Sequence, residues 1–203
     1  MHLFHARGFD GVGVDLIGET AGISGPALYR YFSSKTEILV ALLDEAIDRV
    51  LMSTGGRFDN PRDELEHLVR GHVDRVLEER ELMGLWTKEK NSIPEPYRSR
   101  LRARISRYVK RWVDCLHACY PDQDLEVLTA AVHATHGLID SCTFWPPQTL
   151  HAKQLNNVLT GLALTGLEFL GKEPGRSGAP LMASEVISAR SCSGVFDVGE
   201  DEG

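Results

Sequence analysis

Tyr29, Arg30 and Tyr31 stand side by side, four residues before Lys35 and just behind the small residues Gly25, Pro26 and Ala27. Arginine offers a planar fork of N–H donors, tyrosine a hydroxyl and lysine an ammonium. Such groups suit phosphate oxygens and base edges. Arginine reads guanine bidentately or pins a phosphate, and tyrosine hydroxyls reach the backbone. Gly25 and Ala27 would let a helix approach a duplex closely, and the Ala27 methyl can touch a thymine methyl. Lys35 would meet a phosphate where the amides of a helix N-terminus also point. An exposed Tyr-Arg pair on its own is ordinary surface, so the reading depends on the element that carries it.

A second set of residues could line a cavity: Trp86, Tyr108, Trp112, His133, His136 and Phe144. Aromatics at helical spacing equally make plain core. His133 and His136, three apart, would face a cavity together. The run 98–112 is rich in arginine, with Arg100, Arg104, Arg107 and Arg111 on one stripe. Pairing with acids such as Glu78, Glu79 and Glu81 is the ordinary reading. The functional one is an arginine at the mouth of the pocket, meeting an anionic ligand. Cys115 and Cys119 share a helix face near His117, but no further matched pair completes a metal set, so neither metal nor cofactor is expected. The motifs of serine hydrolases, P-loops, dinucleotide binding and metalloproteases are missing, which argues against an enzyme.

The elements that must position these residues read as helices throughout; strand alternation is almost absent. Within 14–31 the spacing is that of a helix-turn-helix. Gly18 is small where two helices cross, and Gly22 sits where the chain needs a left-handed residue. Ile23 is expected to plug the angle between the helices. Ser24 caps the second helix and Pro26 fits its first turn. Leu28 and Phe32 point back to the core with Ile17 and Ala21.

Downstream, Ser34 and Glu37 form a capping box before a helix over 35–52, which Gly55-Gly56 closes. Asn60-Pro61 opens the next helix. Further helices are expected around 82–90, up to 120, over 125–144 and over 149–170. Leu155, Leu159, Leu162, Gly166 and Leu167 on the last of these are candidates for a homodimer interface. From 172 to 203 the chain is rich in Gly, Ser, Pro and acids and reads as a disordered tail.

The set Gly18, Gly22, Ile23, Ser24, Leu28, Tyr31-Phe32 and Ser34-Lys35-x-Glu37, with Leu3-Phe4 and Gly8-Phe9 before it, resembles the N-terminal domain of TetR-family transcriptional regulators. The resemblance covers residues 1–43. It implies an all-α fold: a helix-turn-helix domain with its connecting helix over 1–52, and a helical ligand-binding and dimerisation domain over 53–171. It further implies a double-stranded DNA operator, a small-molecule effector, of hydrophobic or acyl type, and a homodimer. A repressor released by that effector is the expected role.

The sequence departs from the family pattern in three places. The opening helix normally begins well before the Leu-Phe pair, so a truncated start is expected. Gly13 stands where a hydroxyl residue usually caps the first helix of the motif and touches phosphate. Asp15 stands where a basic residue is common. Over 1–35, Arg7, Arg30 and Lys35 are balanced by Asp10, Asp15 and Glu19. The whole chain of 203 residues carries a net charge of −7, so any DNA contact must be a local patch. These features keep open an alternative, a small-molecule-binding helical protein with impaired DNA recognition. No signal peptide or membrane span is legible, and four cysteines are too few for a disulfide scaffold, so a cytoplasmic protein is expected.

Overall fold

A computed structural model of the chain describes residues 2–89 and 93–172. The tail expected over 172–203 lies, from residue 173 on, outside the described residues. Ten α-helices are described: α1 (His2–Arg7), α2 (Val14–Thr20), α3 (Gly25–Leu28), α4 (Lys35–Ser53), α5 (Pro61–Glu78), α6 (Arg80–Glu89), α7 (Tyr97–Cys119), α8 (Leu125–Asp140), α9 (Pro147–Leu150) and α10 (Leu155–Glu168). No strand occurs among the described residues.

Local chemistry explains most of the helix boundaries. The Ser34 hydroxyl accepts from the Glu37 amide at 3.2 Å, while the Glu37 carboxylate accepts from the Ser33 amide at 2.7 Å. The capping box therefore closes one residue further out than the usual pattern. Asn60 caps α5 by accepting from Arg62 N at 2.9 Å, with Pro61 in the first turn. Gly56 ends the α4 connection with φ +136°.

Two helices expected to be continuous are broken. The helix over 125–144 becomes α8 followed by a 3₁₀ turn, Ser141–Phe144. The helix over 149–170 becomes α9 and α10, separated at Gln154, which adopts a left-handed φ of 61°.

The apolar side chains gather in two clusters. One holds Phe4, Val12 and Leu28 with Ile38, Leu39, Leu43 and Ala46 of α4, and extends to Leu82, Leu85, Ile93 and Leu101. The other holds Trp112, Leu116, Leu128, Val132 and Ile139 with the buried faces of α5 and α10. Val50, near the end of α4, belongs to the second cluster. So α4 is shared between the N-terminal motif and the helices behind it.

Its polar face is tied on several sides. Arg104 of α7 donates to Asp44 at 2.6 Å and also reaches Asp48, and Arg100 bonds Asp44 as well. Arg49 reaches the buried Glu79 at 2.8 Å. The Tyr97 hydroxyl at the start of α7 donates to Glu37 at 3.0 Å.

Candidate DNA-contacting surface and ligand cavity

The helix-turn-helix is built from very short pieces. Gly22 takes φ +72°, the left-handed turn that glycine makes without strain. Ile23 N donates back to Gly18 O at 2.9 Å, folding the turn against α2. A Cβ at Gly18 would stand 2.8 Å from Ile23 O and 3.2 Å from Gly25 N, both backbone atoms that cannot simply rotate away. Gly18→Ala is therefore expected to destabilise the motif by about 1–3 kcal/mol, as overpacking does. Chemical denaturation with a probe in residues 1–34 should show that loss.

α3 is regular only over Gly25–Leu28, but i−4 and i−3 bonds (Tyr29 N to Gly25 O, Phe32 N to Leu28 O, Tyr31 N to Leu28 O) carry the turn on to Phe32. Ser24 caps it through Ala27 N at 3.3 Å. Tyr29 is 54% and Tyr31 79% exposed, and Arg30 is exposed beside them. Pro26 and Ser24 are exposed and Ala27 is half-buried. Gly13 caps α2 in extended conformation, with open space where a side chain would stand.

Four placements differ from the sequence reading. Gly25 is buried rather than open, because the Asp15 side chain lies against it; a Cβ there would come within 2.1 Å of Asp15 Oδ1. Lys35 turns inward: its ammonium donates to Phe9 O at 2.8 Å and lies 4.4 Å from the Phe9 ring centroid, joining α4 to the α1–α2 loop. Ile23 does not plug the helix angle but keeps 41% of its surface in water. Ala21 is exposed rather than part of the core.

Behind the motif lies a cavity of about 120 Å³. Leu43, Ala46, Ile47, Val50 and Leu51 of α4 form one wall. His72 of α5, with Leu82, Met83 and Trp86 of α6, forms a second. Ile105, Tyr108 and Val109 of α7, with His136 and Asp140 of α8, complete it. Five helices thus contribute, and α4 contributes most on one side.

The polar end is a connected cluster. His72 Nε2 faces Asp140 Oδ1 at 3.2 Å and His72 Nδ1 faces the Tyr108 hydroxyl at 3.1 Å. A carboxylate only accepts, so His72 Nε2 carries a proton towards Asp140. Burial raises the Tyr108 phenol well above its usual range. The His72 and His136 rings stack at 4.5 Å between centroids, and Trp112 stands edge-on to His136 at 4.7 Å.

Burial, with His72 and His133 adding to it, lowers His136 to about 2. The sign follows: unfolded His136 binds its proton near pH 6.5 while the folded one does not, so stability is intact above that pH and falls below it. Between pH 7 and 5 the expected loss is about 2 kcal/mol. Thermal unfolding over that range should show the loss, and His136→Gln should flatten the profile.

Of the expected cavity liners, Trp86, Tyr108 and His136 are in place. Trp112 is fully buried behind the wall, where it packs on the two histidine rings. His133 is exposed and does not line the cavity: it sits about 60° around α8 from His136, enough to turn it out to solvent. Phe144 lies on the 3₁₀ turn, 57% exposed.

The arginine stripe does not reach the cavity. Arg100 and Arg104 pair with Asp44 and Asp48, and Arg111 with Glu64 at 2.9 Å. They are paired with acids, here Asp44 and Asp48 of α4 and Glu64 of α5. The Cys115 thiol donates to Pro61 O at 3.4 Å, and burial pushes it up to about 12.

The interface candidates divide as well. Leu155, Leu159 and Leu167 are buried within the chain, packed into the second cluster. Leu162 and Gly166 face outward, and Val158, Gly161 and Thr165 complete that outward stripe at helical spacing. Val127 and Leu138 of α8, which packs on α10, are exposed as well. The sequence reading named Leu162 and Gly166 of this face but grouped them with the inward leucines.

His72 and the α4 wall were missed too. A histidine on the apolar stripe of α5, between Val69 and Val73, was the available signal.

Comparison with known proteins agrees with this architecture. Residues 1–42 match the family model described as bacterial regulatory proteins of the tetR family, and residues 59–148 the tetracyclin repressor-like C-terminal domain. The transcriptional activator FasR of Mycolicibacterium smegmatis is 41% identical over 49 residues, 24% of this chain and 22% of that protein. The match therefore spans less than a quarter of that relative.

The solved structure of the regulator PfmR from Thermus thermophilus has a TM-score of 0.72 at 18% identity, covering 82% of this chain and 93% of that one. AibR, solved with isovaleryl coenzyme A and operator DNA, has a TM-score of 0.68 at 16% identity, covering 81% and 91%. At these identities the structures speak for the fold. Among the described residues no helix is long and apolar enough to cross a membrane. With both domain models matched in order along one all-α chain, the protein belongs to the TetR family of transcriptional regulators.

Proposed function

We propose that this regulator is a cytoplasmic, homodimeric repressor that binds a palindromic double-stranded operator and is released by a small hydrophobic effector. The observation that carries the reading is the double role of α4. Its first turn adjoins the helix-turn-helix, and its second half walls the cavity. A ligand too large for about 120 Å³ must displace that wall. Moving α4 would change the spacing of two recognition helices and bias a two-state equilibrium.

Tyr29, Arg30 and Tyr31 are the proposed groove and phosphate contacts, with Ser24, Pro26, Ala27 and Gly13 close to the backbone. Buried Gly25 and inward-turned Lys35 serve the motif's packing. An acyl-type effector draws support from the isovaleryl coenzyme A bound by AibR. The hydrophobic class is the better supported here, because among the described residues no arginine or lysine lines the cavity.

The test is a reporter driven by the chain's own upstream DNA. Deletion of the regulator should raise expression, and Arg30→Ala should do the same while weakening operator binding about tenfold or more. A fall in expression on deletion would instead favour an activator, the role printed for FasR.

A further inference from the structure

A buried polar atom without a hydrogen bond is uncommon in a folded protein and costs stability. One such atom, His136 Nε2, lies at the polar end of the cavity, with the Trp112 ring edge-on behind it. The neighbouring groups are already committed, His72 to Asp140 and Tyr108, and Tyr108 to His72. His136 is thus the lining residue with an unanswered hydrogen-bonding atom at this end.

Charge narrows the ligand further. Among the described residues, Asp140 is the only formally charged one on the wall, and no lysine or arginine joins it. An anion would meet that carboxylate with no lysine or arginine to answer it. His136 stays neutral at physiological pH because burial holds its protonation far down. A cation gains little from Asp140: one carboxylate oxygen is taken by His72, and the side chain is 41% exposed to screening water.

Resting on the reading of this cavity as the effector site, we infer that it takes a neutral, mainly apolar molecule with a single hydroxyl bonded to His136 Nε2. A hydroxyl both donates and accepts, so it satisfies Nε2 in either tautomer of the ring. The rest of the molecule lies against Leu43, Ile47, Trp86 and Val109. Cavities of this order accommodate a single aromatic ring.

The full chain is titrated with four probes of one shape: benzyl alcohol, toluene, benzoate and benzylamine, read by tryptophan fluorescence with Trp86 at the wall. Benzyl alcohol should bind about tenfold more tightly than each of the others. His136→Leu should bring benzyl alcohol and toluene to equal affinity. Asp140→Asn, which leaves His136 in place, should narrow the gap between benzyl alcohol and benzoate. Equal binding of toluene and benzyl alcohol to the unaltered chain, tighter binding of benzoate or benzylamine, or a preference that survives His136→Leu would overturn the inference and leave the effector cavity standing. Failure of all four to bind would overturn both.

Discussion

Leu162→Glu on α10 should turn the dimer into monomers and lower operator affinity by about a hundredfold or more at the same protein concentration. Leu162 is 56% exposed and lies on an outward stripe with Val158, Gly161, Thr165 and Gly166. No charge occurs from 158 to 167, which is unusual for a helix face meant for water. A Cβ added at Gly161 or Gly166 would meet nothing within 4 Å, so these glycines are not required by packing inside the chain. They suit a second helix pair brought close, as in a four-helix interface.

A carboxylate buried there without a partner costs several kcal/mol. Because each protomer supplies one recognition helix, loss of the dimer removes half of the DNA contacts from each binding event. Sedimentation and anisotropy on one sample read both effects. A Leu162→Glu chain that stays dimeric would place the interface elsewhere.

Ala46→Phe should weaken operator binding at least tenfold with no ligand present. Ala46 is 4% exposed on the cavity side of α4. A phenyl ring there fills the space an effector would occupy and presses on the same helix. Opposite that wall, Arg100 and Arg104 hold Asp44 and Asp48, so a displaced α4 must strain or release these pairs. Tenfold corresponds to about 1.4 kcal/mol of bias between two states, which is modest for overpacking of a core position. The substituted chain should also lose binding of benzyl alcohol. Unchanged operator affinity with the cavity filled would break the proposed link between α4 and the DNA.

Much of this was legible in the sequence wherever the chemistry is local. Ser34, Glu37, Asn60, Pro61 and Gly22 act within a turn of themselves, and each stands where its type requires. The exposed Tyr29, Arg30 and Tyr31 followed from the same short-range logic.

What failed was the choice between faces. α10 is apolar on both sides, so periodicity could not tell that Leu155, Leu159 and Leu167 face inward while Leu162 and Gly166 face out. His133 and His136 differ only by the turn of α8. The cavity is assembled from five helices far apart in sequence, and nothing near His72 announces Asp140, 68 residues on. Gly25 looked like room for DNA, but the space is taken by Asp15. The break at Gln154 carries no proline or glycine to mark it.

The most direct test is a fluorescence-anisotropy titration of the full chain against DNA from its own upstream region, at two salt concentrations, with an unrelated duplex as control. The account predicts site-specific binding that weakens with salt, falls about tenfold or more in Arg30→Ala, and is relieved by a ligand of the cavity. Equal affinity for both duplexes, or site-specific binding indifferent to Arg30, would contradict it.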